Sequence, residues 1–213
     1  MEWFALAAAF TGAAHIVTDY KGPRWATYIF KPGTMLIIIA MLWSFPVVDE
    51  SYRWWLTAGL LASLVGDCFL MLPTKPLLPG LGAFLIAHII YVIDFASRTS
   101  VVWSFWLILT TVLLLVWMAG LGAFMFNKLG KLMIPGPIYI GALGGMVFFA
   151  SNAASQGLIG GESLLIGALL FLVSDTALAF NRIYQPYRAA QFLILSTYYP
   201  AQFFIAASAI APS

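Results

Sequence analysis

The chain has 213 residues, 62% of them hydrophobic and only 8% charged, with mean hydropathy +0.96 and net charge +2. A soluble domain carries roughly 25% charged residues, so this chain cannot cover a water-facing surface, and a net +2 is too small to suggest nucleic acid. It reads as one all-α integral membrane domain over 1–213, because no ten-residue alternating pattern suggests a barrel.

Apolar runs separated by charge, Pro or Gly predict eight transmembrane helices near 2–18, 32–46, 54–72, 81–97, 101–120, 134–151, 161–181 and 189–210. The first opens "MEWFALAAAF"; it lacks the basic region of a cleavable signal, and Glu2 has the wrong sign, so it reads as a span. His15, near Asp19, reads as an interfacial structural residue. The second is short and starts at Lys31 and Pro32. The third carries Asp67 within "SLVGDCFLML", beside the single cysteine, Cys68, which has no partner for an internal disulfide. The fourth carries His88 and Tyr91, the sixth Tyr139 and the seventh Ser174 and Asp175 within "LVSDTALAF". The eighth carries Tyr198, Tyr199 and Gln202. The Trp residues read as interface belts and core.

Lysine and arginine are unevenly shared between the two sets of connections. Lys21, Arg24, Lys31, Lys75, Lys128, Lys131, Arg182 and Arg188 fall in the odd-numbered loops, against Arg53 and Arg98 on the other side. The positive-inside rule then puts the odd loops in the cytoplasm and both termini outside. In a bacterium this would be a multi-pass inner-membrane protein.

A repeat lies within the apolar sequence. "GLLASLVGD" (Gly59–Asp67) aligns with "GALLFLVSD" (Gly167–Asp175) at an offset of 108, and the same register holds through Tyr91 and Tyr199 with ten identities. Four helices separate the copies, so they share an orientation, and parallel repeats are related by an axis along the membrane normal. The expected architecture is two parallel four-helix repeats, 1–98 and 99–213, around a central cavity. Asp67 and Asp175 would face each other across it.

Depth points the same way. Asp67 lies eight residues before Lys75 and Asp175 seven before Arg182, about 12 and 10 Å at the 1.5 Å rise of a helix. His88, Tyr139, Tyr198, Tyr199 and Gln202 fall in the same half of the membrane, opening toward the cytoplasmic leaflet. An aspartate at a helix centre costs about 2.5–3.5 kcal/mol on insertion scales, so it reads as functional. A structural hydrogen bond, averaging about 0.6 kcal/mol in membranes, would hardly offset that cost. His88 could equally be a satisfied packing residue, and Lys31 could snorkel or bind a lipid phosphate. The two histidines and one cysteine make no standard zinc site, and no GxSxG or P-loop is present. No cofactor or metal is expected. Intramembrane aspartyl proteases carry GxGD, whereas Leu64 stands three before Asp67. Paired intramembrane carboxylates also suit a proton-coupled transporter or a lipid-sensing scaffold.

"KPGTM", "SLVGDCFLMLP" followed by "GLGAFLIAHIIY", and "GALLFLVSDTALAFNR" followed by "TYYPAQFF" resemble the YhhN family, which includes the lysoplasmalogenases. The resemblance covers the second through eighth helices. Lys31, Asp67, His88, Tyr91, Asp175, Tyr198 and Gln202 match its polar positions. It implies hydrolysis of a lysoplasmalogen vinyl ether to a fatty aldehyde and a glycerophospho-ethanolamine or -choline. Lysophospholipid and membrane lipids would be the partners, with homo-oligomerisation open. Such a reaction needs an acid to protonate the carbon β to oxygen, an anion to stabilise the oxocarbenium ion and a base for water, as with glycosidase carboxylates. Asp67 and Asp175 are the candidates. Ser174, Tyr91, Tyr139, Tyr198, Tyr199, Gln202 and His88 would support them, and Lys31 and Arg182 would meet the phosphate.

Overall fold

The computed structural model describes residues 1–73 and 76–211; Lys75 lies outside them. Eight α-helices follow in order: α1 (Glu2–Lys21), α2 (Arg24–Ser44), α3 (Glu50–Met71), α4 (Leu77–Arg98), α5 (Phe105–Met125), α6 (Pro135–Ser155), α7 (Gly161–Ala179) and α8 (Ala190–Ala207). Among the described residues there is no strand beyond an isolated bridge between Val47 and Ile210. Six helices, α2 to α7, are long and apolar enough to cross a membrane. The protein is an integral, multi-pass membrane protein. His15, Asp19 and Lys21 dilute the apolar character of α1, as Gln191, Tyr198, Tyr199 and Gln202 dilute that of α8.

The second helix departs from the sequence expectation. It begins at Arg24, and Pro32 lies inside it. Proline favours a first turn because it has no amide hydrogen to place, but α2 runs through it, leaving the Tyr28 carbonyl without its usual partner. Membrane helices tolerate this where neighbouring helices and polar groups surround the gap. Pro200 sits inside α8 in the same way. As a result Lys31 belongs to a helix and is buried, so it is not one of the loop cations that bear on orientation. The bias toward the odd loops keeps its sign without it.

The principal helix contacts close a ring, α2–α3–α4–α6–α7–α8 and back to α2. Outside it, α1 lies against α2 and α8, and α5 lies against α6. Lipid is as apolar as leucine, so close packing rather than water exclusion joins such helices. Glycines serve this at two crossings. A Cβ on Gly59 would stand 2.2 Å from the Tyr91 ring, and one on Gly167 would stand 2.8 Å from the Ala201 carbonyl oxygen. These two glycines are 108 residues apart, the offset of the repeat.

Candidate active site

Each of the six ring helices contributes one polar side chain to a shared constellation. Asp67 lies one turn before the end of α3, and Asp175 one turn before the end of α7. Lys31 of α2 reaches Asp67, Nζ to Oδ1, at 3.1 Å. The Tyr198 hydroxyl of α8 donates to Asp67 Oδ2 at 2.7 Å. The Tyr139 hydroxyl of α6 donates a short hydrogen bond to Asp175 Oδ2. His88 of α4 brings Nε2 to 3.5 Å from the same oxygen, and neither of its ring nitrogens makes a hydrogen bond. Tyr139 and Phe171 hold the His88 ring edge-on, with centroids 5.1 and 4.8 Å away.

Both aspartates line one small chamber of about 40 Å³, with Lys31, Ser174, Arg182 and Tyr198. Ser174 is buried there and donates to the Ile194 carbonyl at 3.1 Å, locking α7 to α8. Asp175 and Arg182 also line a second, larger cavity of about 250 Å³, walled by leucines, Trp117 and methionines of α4, α5, α6 and α7. Arg182 stands in a π turn, Phe180–Tyr184, where the two cavities adjoin; its Nε is buried without a hydrogen-bond partner. Burying a guanidinium nitrogen without a partner is costly.

The remaining candidates lie elsewhere. Tyr91 donates to Gln202 Oε1 at 3.1 Å, bridging α4 and α8, and neither residue lines these cavities. The Tyr199 hydroxyl meets His15 Nδ1 at 2.6 Å, behind the chamber. Tyr199 too is absent from the lining of both cavities, its ring packed against that of Tyr198 at a centroid distance of 5.4 Å. A buried polar cluster that the sequence did not suggest sits at the opposite end of α4. Asp94, 1% exposed, pairs with Arg98 at 2.7 Å, and Arg98 also binds Asp49 beside the start of α3. The i,i+4 spacing of Asp94 and Arg98 was the available signal. No group of three or more metal-ligating side chains is present among the described residues.

Comparison with known proteins places the chain in a family. The model of the YhhN family matches residues 26–209. The chain belongs to the YhhN family. It is 29% identical over 215 residues to the uncharacterized membrane protein YhhN of Escherichia coli O157:H7, covering 98% of this chain and 99% of that one. It is 33% identical over 193 residues to lysoplasmalogenase TMEM86B of Sus scrofa, covering 87% and 76% of the two chains. It is 34% identical over 207 residues to lysoplasmalogenase TMEM86A of Bos taurus, covering 89% and 80%. No solved structure matches.

Proposed function

We propose that this YhhN-family protein is a lysoplasmalogenase, hydrolysing the vinyl ether of a lysoplasmalogen to a fatty aldehyde and a glycerophospho-ethanolamine or -choline. The observation that carries the reading is the pair Asp67 and Asp175 lining one chamber that adjoins an apolar cavity. The lysoplasmalogenase names of relatives near 30% identity support the substrate class.

The two acids have different surroundings, which suggests their roles. Asp67 has a cation, Lys31, and stays a carboxylate. Asp175 has a hydroxyl and an imidazole, faces the apolar cavity, and brings the proton. It protonates the alkenyl carbon β to the ether oxygen, leaving an oxocarbenium ion. Asp67 stabilises this cation and takes a proton from the water that bonds to it. Asp67 then gives that proton to the glycerol oxygen as the hemiacetal breaks its bond to it, and the hemiacetal hydroxyl, becoming the aldehyde carbonyl, releases its proton to restore Asp175 through the chamber. General acid–base help of this kind contributes about 10²–10⁴-fold. Arg182 and Lys31 put positive charge on the chamber wall beside the two acids.

In this reading all eight helices span, because α1 and α8 pack within the bundle alongside the six apolar ones. The odd loops face the cytoplasm, both termini lie outside, and the chamber opens toward the cytoplasmic leaflet. The two halves, 1–98 and 99–213, are parallel repeats. Two pairings support this: Lys31 with Asp67 and Tyr139 with Asp175 occupy positions that correspond at the offset of 108.

The test is mass spectrometry of a lysolipid panel incubated with purified protein. Aldehyde should appear from the vinyl ether lipid and not from its alkyl ether analogue. Asp67→Asn and Asp175→Asn should each abolish it while remaining folded. Wild-type turnover in either variant would remove the mechanism. Flux of an unaltered solute across vesicles would favour transport instead.

A further inference from the structure

A third cavity, of about 180 Å³, lies between the end of α1, the start of α2, the end of α3 and the start of α8. It shares Lys31 and Gln191 with the acid chamber and continues outward past Asp19 and Arg24. Its relation to the apolar cavity is close. Adding the repeat offset of 108 to its lining residues lands six of them on the lining of the apolar cavity. Leu70 corresponds to Leu178, Lys31 to Tyr139, Arg24 to Leu132 and Thr27 to Pro135. The acid chamber lies between the two, and Asp67 and Asp175 correspond across it at the same offset. The flanking cavities are thus equivalent places in two halves, one with leucine, proline and tyrosine where the other has arginine, threonine and lysine.

We infer that this polar cavity is the subsite for the zwitterionic phospho-ammonium head group of the lysolipid, its apolar counterpart taking the hydrocarbon chain. This deepens the reading given above and rests on it. Once Lys31 pairs with Asp67, the charged side chains left in the cavity among the described residues are Arg24 and Asp19, one of each sign. Their net charge is zero, like that of the head group. Arg24 suits a phosphate, which a guanidinium can bind through two parallel hydrogen bonds, and Asp19 suits the ammonium. A second observation points to a ligand. His15 lines the cavity at 2% exposure, and its Nε2 is buried with no hydrogen-bond partner. In the tautomer in which Tyr199 donates to Nδ1, Nε2 carries the ring hydrogen and can donate to a phosphate oxygen. The sequence of surfaces, from apolar cavity to paired acids to polar cavity, is the sequence of parts along the molecule: chain, ether, head.

Binding of two non-cleavable lipids, a 1-O-alkyl lysophosphoethanolamine and the headless 1-O-alkylglycerol, tests this on the full chain in detergent. The wild type should prefer the first. Arg24→Leu, which installs the residue of the apolar counterpart, should weaken the first lipid by roughly tenfold or more, the scale of one charge-assisted hydrogen bond, and leave the second unchanged. Asp19→Asn should weaken the ethanolamine lipid and spare a 1-O-alkyl phosphate monoester without an amine. Arg24 and Asp19 are exposed at helix ends, so both variants should keep their fold. Equal weakening of both lipids by Arg24→Leu, or of neither, would overturn the assignment. Aldehyde release from the vinyl ether lipid without that discrimination would sink the subsite alone. Discrimination without aldehyde release would support the subsite and sink the chemistry.

Discussion

Lys31 is 9% exposed and Asp67 2% exposed, so each charge is largely stripped of solvent and relies on the other. Breaking a buried ion pair from one side typically costs about 3–5 kcal/mol, because an uncompensated charge is left behind. Lys31→Met should therefore lower unfolding stability in detergent by about that amount. Adding Asp67→Asn to it should restore most of the loss without restoring aldehyde release, a coupling a double-mutant cycle measures directly. At the other acid, Tyr139→Phe should lower aldehyde release by roughly tenfold, the scale of one hydrogen bond to an acid group, with little change in fold. Both aspartates were legible in the sequence, because a carboxylate in an apolar run is expensive wherever it points. Their partners were harder to read. Lys31 and Tyr139 resemble ordinary interfacial residues, and only the ring places them beside an acid from another helix. Asp19 and Arg24 gave no signal of their own, since charges beside a loop look the same whether or not a cavity opens between them.

At the scale of helices, the close crossings are the sensitive points. Gly59→Ala drives a methyl into the Tyr91 ring, and Gly167→Ala drives one into the Ala201 backbone and Ile205. Overpacking costs about 1–3 kcal/mol, and Gly167→Ala should fall at the upper end, because a backbone carbonyl yields less than a ring. Thermal unfolding in detergent would rank the two. The start of α3 is fixed by Asp49, whose carboxylate accepts from the Ser51 amide at 2.8 Å and binds Arg98. Arg98 beside it holds the Asp49 carboxyl below its ordinary value of 3.8, with the Ser51 amide adding to the effect. A lowered carboxylate contributes stability above its unfolded value and loses it as pH falls through the folded one. The melting temperature should therefore drop as pH falls below about 3.8, and Asp49→Asn should remove that component of the drop. Helix existence was readable from hydropathy throughout. The start of α2 was not, because Pro32 is a good first-turn residue locally, and what overrides it is packing against α3 and α8.

For the molecule as a whole, charge asymmetry predicts which end faces which compartment. In a Cys68→Ser background, Lys128→Cys should resist a membrane-impermeant thiol reagent in intact cells, and Ser100→Cys should react. The reverse pattern would invert the proposed orientation. The all-helical class followed from composition. The order of helices around the ring did not, because apolar faces in lipid carry no label for their neighbours.

The position of α5 has a consequence for traffic. It stands outside the ring, held mainly by α6, and supplies Trp117, Leu121 and Met125 to the apolar cavity. It thus forms the outer wall of that cavity, on the side away from the ring. On the proposed chemistry a single amphiphile becomes two products with opposite solvent preferences: an oily aldehyde and a water-loving phosphodiester. Each is released next to the phase in which it dissolves. Neither has to cross the other's territory to leave, so cleavage itself would drive the fragments apart.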